Sequence, residues 1–160
     1  MTIGRALERA SRGLALAGGG VLLAVCGVTV ASVVGRTLFG VPVLGDFELV
    51  EIGVAVAVFA FMPYCQLVRG NVAVDLIARG LGPRARARLD AGHDLVFAAI
   101  AALLAWRLAL GGSELRAWGE SSMILGVPLW WAFVPIVISV ALLVAVCLHG
   151  AWASIRGGRR

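Results

Sequence analysis

Few side chains in this sequence have the type and spacing that chemistry requires. Cys26, Cys65 and Cys147 all fall inside apolar runs and lack metal-ligand spacing, so they read as small packing residues. His93 and His149 could bind a haem iron from two sides if facing helices carried them. Glu48 and Glu51 stand three residues apart and share one face of any helix through them. Arg36 and Arg107 are cations that a bundle could bring to those acids. No nucleophile has a base beside it, and there is no glycine-rich phosphate loop or ligand cluster, so the sequence predicts neither an enzyme nor a cofactor or metal site. Acids deep within an apolar run, the usual mark of an ion pathway through a membrane, are also missing.

The elements that must position these residues are apolar. The runs Leu14–Gly35, Phe47–Val68, Leu95–Gly112 and Val127–Ala151 are each about 20 residues, enough to cross roughly 30 Å of hydrocarbon as a helix. Composition agrees, since 61% of residues are hydrophobic and only 14% charged, well beyond a soluble domain. The expected fold is an all-α integral membrane protein, a single four-helix unit over residues 1–160. The first run is too long for the apolar core of a signal peptide and ends in Val33-Val34-Gly35-Arg36 rather than a small-residue cleavage site, so it reads as a retained helix.

Arginine placement sets the expected orientation. Arg5, Arg9 and Arg12 precede the first run; Arg69, Arg79, Arg84, Arg86 and Arg88 lie between the second and third; Arg156, Arg159 and Arg160 end the chain. The other two connections hold Arg36 and Arg116. The positive-inside rule then puts both termini and the middle segment in the cytoplasm. The net charge of +5 is spread over three faces near anionic lipid, which argues for membrane lipid and against nucleic acid as a partner.

Local patterns add detail. Small residues recur on one side of the first run, through Gly18–Gly20, Gly27, Ala31 and Gly35, the pattern by which helices associate in lipid. Arg107 lies about 18 Å of helical rise beyond Leu95 and must find a partner, a protein face or the headgroups; with Arg36, Glu48 and Glu51 it forms a candidate outer-leaflet ion-pair or subunit-interface cluster. Residues 71–82 read as a short interfacial amphipathic helix with Val72, Leu76 and Ile77 towards the acyl chains and Asp75 and Arg79 towards water. Gly82 and Pro83 mark a stop and a restart, after which Arg84, Arg86 and Arg88 anchor the next helix. Trp118, Trp130, Trp131 and Trp152 fit the interfacial aromatic belts, while Pro63 and Pro135 should open the backbone of the second and fourth spans locally.

Three stretches together resemble one family, the small membrane subunit (DctQ type) of TRAP transporters, the tripartite ATP-independent periplasmic systems. Val34-Gly35-Arg36-Thr37-Leu38-Phe39-Gly40-Val41-Pro42 with Glu48 and Glu51 is similar to its first external turn. Asn71-Val72-Ala73-Val74-Asp75-Leu76 with Pro83-Arg84 resembles its cytoplasmic segment, although Asn71 stands where histidine is common and Gly82 where leucine is common. Leu125-Gly126-Val127-Pro128-Leu129-Trp130-Trp131 with Pro135 resembles the start of its fourth helix. The resemblance implies a non-catalytic subunit in the bacterial inner membrane that binds the scaffold of a large membrane subunit. That partner would carry sodium and an organic acid delivered by a periplasmic substrate-binding protein. The rival reading is a four-helix cytochrome b with haem on His93 and His149; a small multidrug exporter would want a buried acid in the first span, and there is none.

Overall fold

The computed structural model describes residues 2–41, 43–68 and 83–155. They form four helices, α1 (Thr2–Val34), α2 (Asp46–Leu67), α3 (Pro83–Trp118) and α4 (Trp130–Ile155), with a π-helical turn at Gly35–Phe39 closing α1. Each helix is long and apolar enough to span a membrane. The expected segment 71–82, with Asp75 and Arg79, lies outside the described residues.

Two helices are longer than their apolar runs. α1 starts at Thr2, so Arg5, Arg9 and Arg12 ride on its first turns rather than on a preceding tail. Arginine, glutamate and alanine favour helix, and Glu8 precedes Arg12 by four residues, a supporting spacing. α3 begins at the expected restart, Pro83, and places Arg84, Arg86 and Arg88 in its first two turns. It ends at Trp118, where Gly119 takes a positive φ of 67°. There the Glu120 N–H reaches the Leu115 carbonyl at 3.1 Å, closing the helix with satisfied carbonyls.

α1 packs on α2, α2 on α4, and α4 on α3, so α2 and α4 form the middle of the bundle and α1 and α3 its flanks. The core is made of small or medium residues, among them Ala57, Ala60, Ala98, Ala101, Val140 and Cys147, while Leu16, Leu23, Val96 and Ile100 point outward. That inversion suits hydrocarbon, where large apolar side chains gain nothing by leaving lipid and close backbone approach provides the packing. At the α1–α2 contact a Cβ on Gly18 would sit 2.9 Å from that of Ala60, and one on Gly53 would collide with Val25. Pro63 is buried inside α2 and Pro135 lies inside α4; near the latter, Ser139 Oγ donates to the Pro135 carbonyl at 2.8 Å.

Gly53→Leu should therefore overpack the α1–α2 contact and lower stability by about 1–3 kcal/mol. Gly20→Leu, where a Cβ meets nothing within 4 Å, should leave it unchanged. Thermal unfolding of both variants in one detergent distinguishes the two positions.

Candidate functional site

Among the described residues, the polar side chains that bond between helices and loops collect at the two ends of the bundle, and each end ties one helix hairpin to the other. At the end holding the α1–α2 and α3–α4 loops, the turn after α1 is built by a wide π-helical turn. The Val41 N–H bonds the Gly35 carbonyl at 3.3 Å, and Gly40 adopts φ 70°. Gly45, at φ 80°, then lets the chain enter α2 where any Cβ would meet Leu125 at 2.5 Å. Ser32 Oγ, fully buried, donates to Asp46 Oδ2 at 2.5 Å and accepts from the Val43 N–H at 3.3 Å, pinning the turn onto α1.

Glu48 sits in the first turn of α2, and its two carboxylate oxygens each take one backbone amide of the opposite loop. The Ile124 N–H donates to Oε1 at 2.9 Å and the Leu125 N–H to Oε2 at 3.0 Å. The loop is held ready for this. The Ser122 N–H reaches the Val127 carbonyl at 2.9 Å and the Leu129 N–H reaches the Glu120 carbonyl at 3.2 Å, leaving the tip amides to face Glu48. Charge-assisted bonds to backbone donors are stronger than neutral ones, and this pair locks the two hairpins together.

The other expected members of the outer cluster sit apart from this lock. Arg107 lies 5.7 Å from the Trp106 ring of its own helix, and Arg36 and Glu51 are exposed. The Arg116 guanidinium lies over the ring of Trp130, 4.9 Å from its centroid. Trp118, Trp131 and Trp152 are exposed near helix ends.

At the terminal end, Asp90 and Asp94 are buried on α3, 6% and 5% exposed. Reading the third span from Leu95 leaves both acids outside it, which is why sequence reasoning missed them. Their spacing carried the signal: Asp90, Asp94, Ala98 and Ala101 recur at helical intervals and form one buried stripe. Gln66, near the end of α2, donates from Nε2 to Asp94 Oδ1 at 3.0 Å. A Cβ on Gly150 of α4 would lie 2.7 Å from Asp94 Oδ2, so only glycine leaves the carboxylate its place. His93 stacks on Phe97 with centroids 5.9 Å apart, its Nδ1 3.6 Å from Asp94 Oδ1. His149 lies against Trp152, ring centroids 6.5 Å apart, and a Cβ on Gly4 of α1 would come within 3.3 Å of it. Arg88 is exposed.

The two ties share one face of α2. Glu48 and Gln66 are eighteen residues apart, five full turns, or about 27 Å along the axis. Between them Ala55, Phe59 and Met62 pack against the α3–α4 core. Such a site holds helices at a fixed height relative to one another.

The family model described as the DctQ component of tripartite ATP-independent periplasmic transporters matches residues 25–157. No curated protein and no solved structure matches the chain.

Glu48→Ala should free the Ile124 and Leu125 amides, and their hydrogen exchange should rise severalfold while amides in mid-α2 stay protected. Glu48→Gln should restore little, since an amide offers one acceptor oxygen where the carboxylate uses two. At the other end, Gln66→Leu should cost about 1–3 kcal/mol by depriving a buried carboxylate of a donor, read as a lower unfolding midpoint.

Proposed function

The chain belongs to the DctQ family of tripartite ATP-independent periplasmic transporter components, and from that premise we propose that it is a non-catalytic support subunit, one that seats the scaffold of a large membrane subunit along the outer face of α1. It is a multi-pass membrane protein and a small permease component. The finer reading follows the charge pattern. Arg5, Arg9, Arg12 and Arg88 occupy the terminal end, against Arg36 and Arg116 at the loop end, which supports cytoplasmic termini in the bacterial inner membrane with the loop end in the periplasm.

The observation that carries the docking role is on α1. One face of this helix packs on α2 through Gly18, Val21 and Val25. Elsewhere on the helix Gly13, Ala17, Gly20, Ala24, Gly27 and Ala31 repeat at alternating steps of four and three, and every one of them is exposed. This seam runs for about 27 Å and is flanked by the outward side chains of Leu16, Leu23 and Val30. A shallow channel of small residues beside a ridge of large ones lets another helix approach closely, which is how helices associate where lipid is as apolar as leucine. A partner helix would fill it.

The rest of the transport reading rests on the family. Sodium coupling and an organic acid cargo would belong to the large subunit, and the acid would reach it from a periplasmic binding protein. This chain's contribution is a rigid footprint, consistent with polar groups spent on tying its own helices together. A haem role for His93 and His149 has no such support, as each ring is packed against neighbours of its own helix.

Gly20→Leu combined with Gly27→Leu should fill the channel. Pull-down of the tagged variant from native membranes should then lose most of the large subunit, while its unfolding midpoint stays at the wild-type value. Full recovery of the partner would overturn the α1 assignment.

A further inference from the structure

We propose that the groove between α3 and α4 near the loop end binds a single anionic phospholipid, with one acyl chain along the groove and the phosphate at Arg116. The groove has a volume of about 350 Å³. Its walls are apolar along their length, through Leu108, Gly112, Phe133, Val137 and Ile138, and its charged group is Arg116 at one end. From Leu108 to Arg116 the helical rise is about 12 Å, so the charge stands near one membrane surface and the apolar part points towards the bilayer centre.

The two helices come together at Gly112, where a Cβ would lie 2.9 Å from that of Phe133. That approach forms the floor of the groove and leaves the lipid-facing side open. Ser113 also lines the groove, but its hydroxyl is committed to the Leu110 carbonyl at 2.7 Å. Arg116 is thus the charged group left to recognise a ligand.

Its geometry suits a phosphate. The guanidinium lies over Trp130, 4.9 Å from the ring centroid, and carries five N–H donors, more than a ring contact engages, so donors remain for oxygen acceptors. Trp130 also begins α4, so the positive end of that helix lies at the same level. The nearby acids Glu114 and Glu120 are exposed and do not line the groove.

A soluble anion would have no use for the apolar length, and a neutral chain would have none for the arginine. A lipid with an anionic headgroup uses both. A helix of a partner protein would need a wider trough than one apolar chain, such as the small-residue channel on α1.

The test is native mass spectrometry of the purified full chain in detergent, titrated with dioleoylphosphatidylglycerol. One retained lipid per chain is expected, bound severalfold more weakly by Arg116→Gln. Ala109→Phe fills the groove from its open side and should abolish the adduct, with an unchanged unfolding midpoint showing that the chain still folds. Val134→Trp provides the same block from α4 should Ala109→Phe fold poorly. Glycerol phosphate, which lacks the chains, and dioleoylglycerol, which lacks the phosphate, should both fail to compete. Displacement by glycerol phosphate would reveal a simple anion site and overturn the proposal, as would adducts indifferent to these substitutions. Loss of the adduct when the large subunit is bound would assign the groove to protein and overturn it equally.

Discussion

The structure depends on α2 being tied at both ends on one face. Within hydrocarbon there is no hydrophobic effect to press helices together, so side-by-side contacts fix separation far better than height. Helix surfaces ridged every three or four residues allow neighbouring registers, each a small slide along the axis. Glu48 to the Ile124 and Leu125 amides, and Gln66 to Asp94, remove that freedom. With five full turns between them, α2 need not twist to make both contacts.

The cost of such ties decides where they stand. A charged group at the bilayer centre is expensive, whereas the interfaces admit water and headgroups. Glu48 begins its span and Gln66 ends it, and Asp94 lies about two turns short of mid-α3, so each polar tie falls towards an end of the spans rather than at their middle. The interval between is largely apolar, and its alanine, glycine and valine permit backbones to approach. Gly150 beside Asp94 and Gly45 beside Leu125 serve the same end, giving up side chains so that the ties can close.

Much of this could be read before the structure. Length and apolarity of the runs gave four spans, and Gly82-Pro83 marked the start of α3. Hydropathy alone could not show where helices end, because a helix continues past the membrane surface wherever its residues allow; hence α1 begins at Thr2 and α3 covers Asp90 and Asp94. The partner of Glu48 was hidden for a different reason. Opposite charge is visible in a sequence, and it pointed to Arg36 and Arg107. A backbone amide is common to nearly every residue, so only the loop's folded shape reveals that two of them converge on one carboxylate. The face of α1 was half legible: small residues at helical spacing are plain in the sequence, but which stripe meets α2 and which meets the outside depends on packing.

The division of labour between the two faces of α1 bears on how such a subunit could work. A support element must move as one body with what it supports, yet resist displacement in a fluid bilayer. Its inner face, with Gly18 against Ala60 and Gly53 against Val25, couples it closely to α2, and α2 passes the load to α4 and α3 through ties at both surfaces. Any force applied along the outer seam of α1 is then shared across all four helices rather than borne by one. A single helix docked on the same partner could tilt about its contact. A row of helices fixed in height at both membrane surfaces would have to drag its whole width through the lipid.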